Sequence, residues 1–105
     1  MSADAVSAEM AEHVIALGGN GRSVKEAIWV AARRTGLSAG QIKRLRYGEW
    51  QVIPAYIADT VRAARRKENE RLRDAARKEY ETLEARIARL EAVLQDADAD
   101  RAGPA

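Results

Sequence analysis

The chain has no cysteine and no phenylalanine, and only two prolines and one histidine among 105 residues. Without cysteine, disulfides and thiolate chemistry are excluded. No apolar run approaches the roughly 20 residues that span a bilayer, and the N-terminus is acidic, unlike a secretory signal. We therefore expect a cytoplasmic protein with no membrane partner. Because His13 and the carboxylates form no recognisable acid–base or metal set, we expect no enzyme, no metal and no cofactor.

Long tracts rich in Ala, Arg, Glu and Leu, with few helix breakers, predict an all-α protein. Charge is distributed unevenly along these tracts. The net charge is −3 over residues 1–21, +8 over 22–67 and −3 over 68–105. Basic charge concentrated in the middle of a small protein is typical of nucleic-acid binding.

Two helices are predicted in the first third of the chain. The first covers 7–17, with Ser7 as its N-cap and an inner face of Met10, Val14 and Leu17. The glycine-rich stretch 18–22 ends it. The second helix covers 24–35 and begins at the capping box Ser23–Glu26. Its predicted inner face is Ile28, Ala31, Ala32 and Thr35, with Val24 or Trp29 at the edges.

Gly36 lies between two tracts of helix-forming residues, and the residues after it predict a corner. Ser38 followed by Gln41 is a second capping box, which starts a third helix at 39–47 with Ile42 and Leu45 inside. A helix start two residues after a glycine predicts a tight turn rather than one continuous helix. Gly36 suits a left-handed turn position, where a Cβ would cost on the order of 1 kcal/mol.

The stretch 28–47 resembles the helix-turn-helix family of DNA-binding domains. The family pattern has a small residue in the first helix, a glycine in the turn and two apolar residues in the second helix. Ala32, Gly36, Ile42 and Leu45 occupy these positions, with the apolar Leu37 in the turn. The resemblance implies that helix 39–47 lies in the major groove of DNA.

The resemblance also implies which side chains face the duplex. The implied base contacts are Ser38, Ala39, Gly40, Gln41, Lys43, Arg44 and Tyr47. Lys43 and Arg44 would donate to guanine, whereas Gln41 would either cap its helix or read adenine. The expected phosphate contacts, which position without reading sequence, are Arg22, Lys25, Arg33, Arg34 and Arg46.

A fourth, long helix is predicted from Pro54 to Asp96, with proline as its first residue. Its start, at Ile57 and Val61 with Tyr56, is expected to pack on the preceding helices. Trp50, Val52 and Ile53 are expected to cover the bottom of the same cluster.

The remainder of the fourth helix has the pattern of a coiled coil. Leu83, Ile87, Leu90 and Leu94 are spaced 4, 3 and 4 residues apart, and an 11-residue spacing joins Val61, Leu72, Leu83 and Leu94. Glu68 and Glu79 interrupt this stripe. The predicted dimerisation residues are Leu72, Leu83, Ile87, Leu90 and Leu94.

These patterns predict a helix-turn-helix head at 7–57, a coiled-coil stalk at 58–96 and a disordered tail at 97–105. The function we expect is that of a homodimeric, sequence-specific transcriptional regulator that binds double-stranded DNA and associates with the nucleoid. Two alternatives remain open: a coiled-coil adaptor for another protein, and a nonspecific DNA-organising protein. A basic-region zipper at "RAARRK", 62–67, is disfavoured because that family's signature is missing.

Overall fold

The computed structural model describes residues 3–101, which form four helices and no strand. The helices are α1 (Ala3–Gly18), α2 (Val24–Thr35), α3 (Ala39–Arg46) and α4 (Ala55–Arg101). The predicted all-α class, a small helical bundle followed by a long C-terminal helix, is confirmed. Within the described range, no helix combines the length and the apolar character needed to cross a bilayer.

Helix α1 is longer than its sequence pattern predicts. It begins at Ala3, so Ser7 lies inside the helix and is not its N-cap. Asp4 in the first turn interacts favourably with the helix dipole, which explains the earlier start. At the other end, a Cβ on Gly18 would stand 2.8 Å from Cβ of Ala27. The glycine therefore permits the close approach of α1 and α2.

The corner between α2 and α3 forms as predicted. Gly36 caps α2 in the left-handed region with φ of 79°, and its amide donates to the Ala32 carbonyl. The Thr35 hydroxyl donates to the Ala31 carbonyl at 2.8 Å and accepts the Leu37 amide at 3.1 Å. This one hydroxyl joins the last turn of α2 to the chain that leads into α3.

Both ends of α3 are capped. The predicted capping box of Ser38 and Gln41 is present in both directions. At the C-terminal end, which comes at Arg46 rather than at 47, Glu49 donates to the Arg44 carbonyl and Gly48 to that of Leu45. With Gly48 at φ of 65°, this is a Schellman motif. Two caps hold a helix of only eight residues.

All four helices contribute to one hydrophobic core. Its buried members are Met10, Val14, Leu17, Ile28, Ala31, Ala32, Ile42, Leu45, Ile57, Ala58 and Val61. The inner faces predicted for the first three helices are thus buried, except that Thr35 is only half-buried. Trp50 and Ile53 pack on the core as expected, whereas Val52 and Tyr56 are exposed and do not. The residue of α4 that packs on the core beside Ile57 is Ala58, not Tyr56.

Helix α4 takes part in two compact units, the first ending at Asn69 and the second beginning at Glu70. The first unit extends past the predicted boundary at 57, and Val61, which was expected to pack on the preceding helices, is fully buried in it. Pro54 precedes the helix, and its carbonyl accepts from the Ile57 and Ala58 amides. The helix also continues through 97–101, which the sequence had assigned to a disordered tail. The alanines that alternate with aspartates there favour helix; residues 102–105 lie outside the described part of the chain.

An ion-pair network fixes α4 on α1. Arg62 donates two hydrogen bonds to the Glu9 carboxylate, at 2.8 and 3.0 Å. The His13 ring nitrogen Nε2 lies 3.1 Å from the same carboxylate. The hydrogen bonds from Arg62 hold the pKa of Glu9 below its ordinary value of 4.5. His13 thus contributes to the ion-pair network through the same carboxylate that Arg62 holds.

Candidate nucleic-acid interface

Helix α3 has one buried and one exposed side. Ile42 and Leu45 are buried in the core. Gly40, Lys43, Arg44 and Tyr47 are exposed, as is the capping residue Ser38, while Ala39 and Gln41 are half-buried. The side of α3 that faces away from the core therefore carries two cations and a tyrosine, and its backbone is uncovered at Gly40.

Five of the predicted contact residues line one cleft between α2 and α3. They are Lys25 from α2 and Ala39, Gly40, Lys43 and Tyr47 from the stretch around α3. The cleft has a volume of about 530 Å³ and is lined by Val24, Ile28 and Trp29 as well. Its walls are thus largely apolar, with a lysine contributed by each helix.

Trp29 is the site residue that sequence reasoning missed. It was placed only at the edge of the inner face of α2, yet 57 % of it is exposed and it lines the cleft. The available signal was its spacing of four residues from Lys25, which places both side chains on one face of a helix. An exposed tryptophan beside two lysines offers a ring face and positive charge to one ligand.

Gln41 and Arg44 each have a partner within the fold. The side-chain oxygen of Gln41 accepts the Ser38 amide at 3.0 Å, so of its two predicted roles the structure shows capping. This hydrogen bond uses one of the two lone pairs of that oxygen and leaves the side-chain NH2 group unused, so Gln41 stays a candidate base contact. The Arg44 guanidinium lies 4.6 Å from the centre of the Trp50 ring. A stacked arginine keeps its N–H edge available, so Arg44 stays a candidate.

Arg34 is not a free surface cation, which corrects its assignment as a phosphate contact. Its Nη1 donates to the Leu17 carbonyl at 2.8 Å and lies 3.4 Å from Oε1 of Glu68. Leu17 is in the last turn of α1, where carbonyls lack partners within the helix. Arg34 therefore joins α1, α2 and α4. Arg22 has a related role, since its Nη1 donates to the Gly18 carbonyl at 3.1 Å.

The other predicted phosphate contacts differ in exposure. Lys25 and Arg33 are exposed, and Arg46 is half-buried at the end of α3. In the basic cluster 62–67, Arg62 is held by Glu9, while Arg66 and Lys67 are exposed. Fewer basic side chains are therefore available to a ligand than the net charge of +8 over residues 22–67 suggests.

The predicted dimerisation residues all lie in the second unit of the chain and are all exposed. Leu72, Leu83, Ile87, Leu90 and Leu94 each expose between 46 and 63 % of their surface. Val61, which the 11-residue spacing had joined to them, is instead buried in the first unit. The apolar stripe of α4 is thus buried in the first unit and exposed in the second.

Comparison of the chain with family models, with curated proteins and with solved structures found no match. Among the described residues, no group of three or more His, Asp or Glu side chains could hold a metal ion. The case for a function therefore depends on the residues of α2, α3 and α4 themselves.

Proposed function

We propose that this protein is a sequence-specific, double-stranded-DNA-binding regulator whose helix α3 enters the major groove, with α2 and α3 acting as a helix-turn-helix pair. The observation that carries the proposal is the cleft in which Gly40, Lys43 and Tyr47 lie beside Lys25 and Trp29. Lysines of two helices meet there on the side that the core leaves open.

The chemistry of this face suits both components of DNA recognition. Lys43 can donate to guanine O6 and N7, and the tyrosine ring of Tyr47 can contact a thymine methyl group. Lys25 and Arg33, both exposed, would neutralise phosphates. Gly40 has open space around its α-carbon, since an added Cβ would have Ser38 Oγ at 3.9 Å as its nearest neighbour. The backbone of α3 can therefore approach a duplex closely.

A single α3 reads only a few base pairs, so the proposal includes a second copy of the chain. Two copies related by a two-fold axis would read a palindromic site. The exposed stripe from Leu83 to Leu94 provides the surface that would join them. Association with the nucleoid would follow from such binding.

Selection of bound fragments from random DNA, followed by titration of the selected site, tests the proposal. We expect an enriched palindrome. Lys43→Ala should weaken binding by roughly 1–3 kcal/mol per half-site and relax the preference at one position in each half-site. Arg33→Ala should weaken binding to all sequences about equally and reduce the salt slope by about two, because each copy of the dimer loses one phosphate contact. Arg89→Ala, which removes an exposed cation from the second unit, is the matched control. Unchanged preference after Lys43→Ala would refute α3 as the reading helix.

The apolar character of the cleft favours one alternative, an adaptor that binds another protein through Val24, Trp29 and Tyr47. DNA affinity that falls steeply with salt would speak against the adaptor. A nonspecific DNA-organising protein would show the same salt dependence but would enrich no sequence in the selection.

A further inference from the structure

The second unit of the chain carries a longer heptad seam than its leucines alone indicate. Every described side chain from 69 to 100 is exposed, and α4 is helical throughout this range. Tyr80 lies three residues before Leu83, and Ala97 three after Leu94. The alternating spacings of three and four place six residues on one stripe: Tyr80, Leu83, Ile87, Leu90, Leu94 and Ala97.

We propose that this seam binds a second copy of the chain as a parallel, two-stranded coiled coil in register, covering residues 80–97. The proposal deepens the dimer of the proposed function and rests on it. In heptad terms Tyr80, Ile87 and Leu94 occupy a positions, and Leu83 and Leu90 occupy d positions. An isoleucine at a with leucines at d favours two parallel strands.

Charges beside the seam support the parallel register. In a parallel pair, a g residue lies beside the e residue five positions later on the partner. Arg86 then faces the partner's Glu91, and this attraction occurs twice because the pair is symmetric. Glu79 faces the partner's Glu84, also twice, which is unfavourable but lies at the N-terminal edge of the seam. All five large apolar layers are kept.

Two antiparallel registers each satisfy either the apolar layers or the charges, but not both. With full overlap of the seam, Leu83 faces the partner's Leu94, and Glu84 then lies beside the partner's Glu91. The register that pairs Glu79 with the partner's Arg86 places Arg73 opposite the partner's Leu90.

That second antiparallel register has a further cost, because it leaves Leu94 facing the partner's Asn69. Arg73 opposite the partner's Leu90 and Asn69 opposite the partner's Leu94 each put a polar side chain against a leucine, so two apolar layers are lost. The parallel arrangement is the one in which the seam is fully paired and a favourable cross-strand pair is also made.

Disulfide trapping separates the two arrangements, because the chain has no cysteine of its own. Full-length Leu83→Cys and Leu94→Cys are each incubated in a glutathione redox buffer, alone and mixed. Parallel strands predict a disulfide dimer from each variant alone. In the fully overlapped antiparallel pair, like positions are 11 residues apart, about 16 Å along the axis, far beyond the roughly 7 Å that a disulfide can join. Crosslinking only in the mixture would overturn the proposal.

Charge reversal gives a second test that keeps the apolar seam intact. Sedimentation equilibrium without DNA should show Arg86→Glu and Glu91→Arg each raising the dimer dissociation constant roughly three- to tenfold. The double variant should restore it, because the charges are exchanged. Arg89→Glu, off the seam, is the matched control and should change little. In the fully overlapped antiparallel pair Glu91→Arg would face Glu84 and tighten the dimer, which would contradict the proposal.

The outcomes for dimerisation and for DNA recognition are independent. A monomer at tens of micromolar, or a trimer, overturns the parallel pair even if α3 reads DNA. A parallel dimer that enriches no DNA sequence retains this inference and refutes the proposed function.

Discussion

Arg33 and Arg34 are adjacent in the sequence, but their substitution by alanine should have different effects. Arg34→Ala should lower the stability of the first unit, and Arg33→Ala should lower the affinity for DNA. Arg34→Ala deletes a charged donor from the Leu17 carbonyl and a cation from beside Glu68, a carboxylate that is 9 % exposed. A hydrogen bond from a charged group contributes about 1.5–3 kcal/mol, and a partly exposed ion pair about 0.2–1 kcal/mol. The free energy of unfolding of the first unit should therefore fall by about 2–4 kcal/mol.

Arg33→Ala removes the same side chain from an exposed position. Its effect on stability should stay within about 0.5 kcal/mol, as for most surface substitutions. Its effect on DNA affinity should be the larger one, because this guanidinium is free to reach a phosphate. The pair of variants thus separates a structural cation from a binding cation one residue away.

Urea unfolding followed by tryptophan fluorescence measures the stability, because Trp29 and Trp50 both lie in the first unit. Protein concentration is held fixed, since dimerisation would shift the midpoint. For a unit of this size, the loss expected for Arg34→Ala corresponds to a fall in Tm of about 10 °C or more. Equal stability of the two variants would refute the role of Arg34, as would a loss of DNA affinity by Arg34→Ala with stability intact.

Three further predictions concern single positions. Gly40→Ala should leave stability unchanged or raise it by up to about 1 kcal/mol in urea melts, while weakening DNA binding in gel shifts; an unchanged affinity would exclude close backbone approach. Thr35→Val should cost about 1–2 kcal/mol of unfolding free energy, because the Leu37 amide loses its acceptor, and a Tm equal to that of the unmodified chain would contradict this. Glu9 has a lowered pKa in the folded state, so its contribution is complete above pH 4.5 and is lost as the pH falls further. Between pH 7 and pH 3 the Tm should therefore drop more for the unmodified chain than for Glu9→Gln, and parallel curves would disprove the contribution.

The corner between α2 and α3 could be read from the sequence because its signals are local. Ser38, Gln41 and Gly36 act on backbone groups no more than four residues away. The inner faces of the helices were equally legible, since a period of 3.6 residues selects the same side chains whatever they pack against. The start of α1 was misjudged because a serine inside a helix has the same appearance in sequence as a serine that caps one.

The core-facing stripe of α4 continues well past the predicted boundary at 57 and includes a glutamate. Ile57, Val61, Ala64 and Glu68 are spaced 4, 3 and 4 residues apart and continue one face of α4. Glu68 is tolerated on that face because Arg34 of α2 approaches it. Nothing local to α4 identifies this partner, which lies 34 residues earlier in the chain.

The position of each residue around its helix nevertheless shows that Arg34 and Glu68 both lie on the core side. Arg34 follows Ala27 and Ala31 at spacings of 4 and 3, which places it beside the core, and Glu68 follows Val61 in the same way. A cation and an anion that each occupy a core-side position of different helices can be buried together far more readily than either alone. Their joint placement therefore predicts a pair. The same reasoning applies to the whole basic region. Basic side chains on the core side of a helix are expected to pair within the fold, and those on the outer side, such as Lys25, are expected to be free to bind a ligand.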